Sequence, residues 1–253
     1  TARAKRWSIV GIILKNMKRY LQGPGECAYA AVTSAGNYHD KRINYEFVCN
    51  LMPPDGDGLY TPDIGVLLNT IGFTEVKVIT ADIDLVDFGW KNLSKKKLIE
   101  QMKNVRRRHP DQGGRDVARS YVSFLSDSKN TNELLVDMKF GQHIRSALDN
   151  GNPVLASFNW NLFFNFPKWN EYGEPDPIKG DHESHEILIY GYDEKGVRIL
   201  DSHHEMYKGK LKKFGSGRYK MDWETLMTCM GFGDLIIPSG FSLERINEQL
   251  VCE

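Results

Sequence analysis

The chain has 253 residues, 41% hydrophobic and 26% charged, which suffices to bury a full core and excludes a disordered segment. Its 33 Lys and Arg balance its 33 Asp and Glu, so the molecule lacks the overall basic excess of a nucleic-acid binder. No run approaches the roughly eighteen apolar residues of a membrane span, and cysteines at 27, 49, 229 and 252, without CxxC spacing, read as reduced thiols rather than a zinc ribbon. The expectation is a soluble, cytoplasmic protein without a nucleic-acid partner or stable membrane insertion; Thr1 in place of Met fits a processed or cut chain.

Residues 1–20 form a basic arm, with Arg3, Lys5, Arg6, Lys15, Lys18 and Arg19 around the apolar run 9–14, best read as a strand or helix docked on the main domain with solvated flanks. Gly23, Pro24 and Gly25 break the chain just before Cys27, which opens a helical pattern rich in small residues. A short helix fits 43–51. Thr61 caps the next, with Pro62 at its first position, Asp63 favourable to its dipole and Gly72 ending it. Alternation over 74–80 predicts a half-buried strand.

The stretch 84–140 reads as an inserted, mainly helical segment. Ser94 caps a helix with Leu98, Met102 and Val105 on one face and basic residues on the others, best explained as a solvated surface. Polar DQGGRD and a short apolar run at 121–125 follow, then a helical pattern ending at Asn150-Gly151 and a buried strand over 153–160. Residues 161–184 make a long aromatic loop whose Phe163, Phe164, Trp169 and Tyr172 are candidate substrate-binding residues; packing on the sheet as a hydrophobic plug is the competing reading. Strands over 185–192 and 197–201 flank a turn at 194–196, then come a strand near 218–221, a helix over 222–230, a strand around 234–237, and a C-terminal tail at 239–253. Helices first and an antiparallel sheet after them predict an α+β domain over 21–238.

The chemistry lies in an ordered set of three side chains. Cys27 stands at a helix start, where the dipole and an imidazolium partner favour the thiolate. His185 would move the proton. Asp201, at the end of the next strand, would fix the ring's tautomer and orientation. Taken singly, each has a plainer reading: a small core thiol, a satisfied strand-end histidine, a turn acid. Their order along the chain, with glycines breaking it before the cysteine, favours nucleophilic catalysis.

These residues resemble the papain-like cysteine peptidases, in particular the bacteriocin-processing (double-glycine leader) peptidase family and its looser relatives. Gln22 precedes Glu26-Cys27-Ala28, His185 leads into Gly191-Tyr192-Asp193, and residues 197–200 lead to Asp201. The resemblance implies a papain-like fold, a Cys27–His185–Asp201 triad, Gln22 as oxyanion-hole donor and a peptide or protein substrate. Ala28 stands where that family commonly has Gly, Gln22 lies one residue nearer the cysteine, and the interval from Cys27 to His185 is longer.

Other readings use the same residues. An acyl- or peptidyl-transferase would pass the acyl group to an amine instead of water, and a non-catalytic peptide-binding relative would keep only the cleft. His182, Glu183, His185, His203, His204 and Glu205 invite a metal, but neither histidine pair has the His-Glu-x-x-His spacing, so no metal or cofactor is expected. No oligomeric state follows from the sequence.

Overall fold

The computed structural model describes residues 11–54, 58–170, 172, 174–181, 183–203, 214–231 and 233–251. Arg3, Lys5, Arg6 and Ile9 of the basic arm lie outside them. Residues 11–20 lie against the body of the protein. Strand β1 (Ile12–Ile13) pairs antiparallel with Tyr192 and Gly191, and Leu14 and Met17 are buried in the core.

Helix α1 (Cys27–His39) is almost wholly buried, consistent with its run of small residues. Helices α2 (Tyr45–Leu51) and α3 (Thr61–Thr70) follow, the first capped by the Asn44 side chain, which accepts from Phe47 N–H. Gly72, at φ +113°, makes the turn into strand β2 (Phe73–Thr80), a conformation that glycine adopts without a Cβ penalty.

The segment 84–140 is more than a helical insertion. Helix α4 (Lys95–Arg108) buries Leu98 and Met102 against α5 (Gln112–Ser126), and strand β3 (Thr131–Val136) joins the sheet parallel to β2. The polar DQGGRD stretch therefore opens a helix. Asp111 supplies what Gly113 and Gly114 lack in propensity, its carboxylate accepting from Gly114 N–H at 2.9 Å. β3 escapes the alternation rule because its inward position 132 is an asparagine, whose Nδ2 donates to Asn69 Oδ1 and Phe124 O, each at 2.9 Å.

Helix α6 (Phe140–Asp149), strand β4 (Val154–Asn159) and short helix α7 (Trp160–Phe164) lead to the aromatic loop. Strands β5 (Ser184–Asp193), β6 (Gly196–Leu200) and β7 (Arg218–Asp222) form an antiparallel meander, followed by α8 (Trp223–Cys229) and strand β8 (Asp234–Phe241). The sheet runs β3-β2-β8-β4-β5-β6-β7, with β1 added on β5. It is mixed, since β2 and β3 are parallel and the remaining pairs antiparallel. α1 packs on β5 and α3 on β2, while α6 and α8 pack on β4 and its neighbours. Unbroken burial of Val154–Ala156 and Ile187–Ile189 means that the central strands are covered on both faces.

The segment read as a C-terminal tail is structured. β8 continues past Ile237 to Phe241, then α9 (Leu243–Val251) follows. Pro238 is tolerated because β4 pairs with β8 only at Leu235 and Ile236, leaving that edge open further on. Ile246 of α9 is fully buried. Replacing Ile246 with Ala is expected to lower stability by about 2–5 kcal/mol, a loss that urea denaturation would read; a change near zero would mean that α9 is only loosely attached.

Candidate active site

The turn before α1 is held by Glu26. Its carboxylate accepts from Gly23 N–H (3.1 Å) and from the Tyr45 hydroxyl, and Gly25 takes φ +72°. This turn sets Cys27 as the first helical residue, where N–H groups have no intrahelical partner. Gln22 is anchored beside it: its Oε1 accepts from Ser202 Oγ at 2.6 Å, leaving Nε2 as the donor that its amide can offer.

His185 starts on β5, where it is 3% exposed, and Asp201 follows β6, fully buried. His185 Nε2 lies 2.9 Å from Asp201 Oδ1, and His185 lines the same cleft as Cys27, close enough for thiol and ring to act on each other's charge. Asp201 accepts further from His203 N–H (2.9 Å) and the Tyr219 hydroxyl (2.7 Å). Its carbonyl accepts from Arg19 Nε at 2.6 Å, and Arg19 Nη2 donates to His203 O at 2.7 Å. The arm thus clasps the chain end that carries the acid.

The electrostatics follow from these contacts. Burial disfavours the Cys27 thiolate, but the hydrogen bond and charge of His185, with the N–H groups of Glu186 and Ala28, outweigh it and hold the thiol below its ordinary value. Burial likewise disfavours the imidazolium, but Asp201, by charge and hydrogen bond, and Cys27 more than compensate and raise His185. The pair therefore leans toward thiolate and imidazolium. Glu186, the next residue on β5, is buried and accepts from Ser157 Oγ at 2.5 Å; burial pushes it well up, toward its neutral form.

Cys27 borders a cleft of about 570 Å³ with Gln22, Gly23 and Gly25 on one side and Trp160, Glu183, His185 and His203 on the other. Trp160 was not singled out by sequence reasoning. It stacks on the His185 ring at 5.0 Å and 20°, and His203 tilts against it at 4.9 Å. The available signal was an aromatic residue closing a strand just before an aromatic loop. The stacking itself is tertiary.

The four loop aromatics divide. Phe163 stacks on Tyr219 and packs edge-on to Phe158, while Phe164 is 7% exposed among Phe163, Phe214 and Trp160. Both line neither the cleft nor the cavity beside it; they are the plug of the competing reading. Trp169 lines a smaller cavity adjoining the cleft, whereas Tyr172 is 78% exposed and lines neither. Among the described residues no group of three or more His, Cys, Asp or Glu is arranged to hold a metal ion; His182, His204 and Glu205 lie outside them.

A half-buried thiol at a helix start, an imidazole and a buried carboxylate in series on an α+β papain-like fold define a protein of the cysteine-peptidase type. The Peptidase_C39 like family model matches residues 14–228, and the chain belongs to that family. Among solved structures it is similar to a protein described as a C39-like peptidase from Bacillus anthracis (12% identity, 92% of this chain and 99% of that one, TM-score 0.44). It is also similar to xylellain, a cysteine protease from Xylella fastidiosa (16% identity, 92% and 86%, TM-score 0.46). No curated protein matches the chain. Among the described residues no helix is long and apolar enough to cross a membrane.

Proposed function

We propose that the protein hydrolyses a peptide or amide bond through a thioester on Cys27. The reading is carried by one observation, the His185–Asp201 hydrogen bond set beside Cys27 in one cleft, with the thiol lowered and the imidazole raised. The Cys27 thiolate attacks the carbonyl carbon, and a C–S bond forms as the carbonyl electrons move onto oxygen. Gln22 lines the cleft with Cys27, and its Nε2 together with the Cys27 N–H would receive that oxyanion. His185 gives its proton to the leaving nitrogen as the C–N bond breaks. It then takes a proton from water, the hydroxyl displaces sulfur, and the thiolate returns. Asp201 keeps the ring in the tautomer that these transfers need.

Mass spectrometry after brief mixing with peptide esters is expected to find an added acyl mass on the tryptic peptide containing Cys27, and none in Cys27→Ala. An acyl mass elsewhere, or none with any ester while the fold is intact, would overturn the proposal.

A further inference from the structure

We propose that the cavity next to the cleft receives a large apolar side chain from the amine half of the substrate. This rests on the thioester reading above. The cavity, about 240 Å³, is lined by Trp160, Asn161, Phe166, Trp169 and Glu183, and it shares Trp160 and Glu183 with the cleft. None of its walls comes from the Gln22–Cys27 side, where the acyl group stays bound. All come from the side of His185, which hands its proton to the departing nitrogen, and Trp160 lies flat on that ring. The amine half leaves past these residues.

The walls are built in advance. Asn161 Nδ2 donates to Pro167 O at 2.7 Å and its Oδ1 accepts from Glu183 N–H at 2.6 Å, stapling the two ends of the loop. Phe166 N–H is held by Asn161 O, and Trp169 exchanges backbone hydrogen bonds with Asp181 at 3.2 and 2.9 Å. A hairpin thus carries Trp169, and Phe166 stays 38% exposed. Water occupies about 30 Å³ per molecule in the liquid, so the cavity has the volume of about eight waters, the scale of one large side chain. Three aromatic walls favour an apolar occupant, and the Glu183 carboxylate at the shared edge disfavours an acidic one.

The experiment loads Cys27 from a p-nitrophenyl ester of fixed acyl group and lets amino-acid amides compete with water. In the productive step the amine nitrogen forms a C–N bond as the C–S bond breaks, and His185 accepts the surplus proton. Phe-amide and Leu-amide are expected to intercept the thioester at least about tenfold better than Gly-amide, with Glu-amide worst. Trp169→Ala and, separately, Phe166→Ala should collapse that ratio, whereas Ile178→Ala, 85% exposed on the same loop, should leave it intact. Equal capture of all four amides by a loaded enzyme, or a preference that survives both cavity variants, would overturn the pocket's role. Failure to load Cys27 at all is a separate result: it refutes the thioester reading, and the pocket's role falls with it.

Discussion

A limiting pulse of iodoacetamide near neutral pH labels Cys27 ahead of Cys49 and Cys229 in a Cys252→Ser background. The reason is that only Cys27 is biased toward thiolate, by His185 and the N–H groups around the sulfur. Cys49 is pushed the other way, first by burial and then by the Glu26 charge, and Cys229 by burial and Asp222. The preference should fade as pH falls through the lowered pKa of Cys27. Cys27→Ala should cost about 10⁴–10⁶-fold in turnover, since no other described thiol reaches the cleft. Equal labelling of the three thiols in folded protein would mean that Cys27 is not activated.

Asp201→Asn has the second large expected effect. Asp201 raises His185 by charge and by hydrogen bond against the opposing effect of burial, so a neutral amide there lowers the imidazole pKa. With its partner less often charged, Cys27 rises. The active ion pair exists between the lowered thiol and the raised imidazole, and the substitution moves both limits inward: the acid limb of kcat/KM shifts to higher pH and the alkaline limb to lower pH. A fall of about 10³–10⁴-fold at the optimum should accompany the narrowing. An unchanged pH window with lower activity would assign Asp201 a structural role alone.

What the sequence made legible depended on how local the determinants were. The helix start at Cys27 is written in Gly23, Pro24 and Gly25, and the β5–β6 hairpin in its alternation and its turn at 194–196, so these emerged without tertiary information. β3 stayed hidden because Asn132 occupies an inward position that only its bonds to Asn69 and Phe124 explain. α5 stayed hidden because the polar stretch with Gly113 and Gly114 carries no helix signal until the Asp111 cap is seen. β8 and α9 were cut short at Pro238 and Gly240, whose tolerance depends on an open edge and on φ +65°. Of the site, Cys27, His185 and Gln22 are brought to one cleft, with Asp201 buried behind His185; Trp160 was missed, and Phe163 and Phe164 turned inward, because stacking partners across 160–219 carry no local signature.

The Arg19 clasp carries a consequence for how the protein comes into being. The bond from Arg19 to the Asp201 carbonyl joins residues 182 positions apart, and Gln22 reaches Ser202 over 180. Such distant closures pay their loop entropy late, after local helices and hairpins have formed. Cys27 can sit at its helix start early, but its imidazole and acid arrive only when the far end of the chain has closed on the near one. A nascent or partly folded molecule therefore holds Cys27 without its histidine neighbour, and the chemistry proposed for that thiol becomes available only with completed folding.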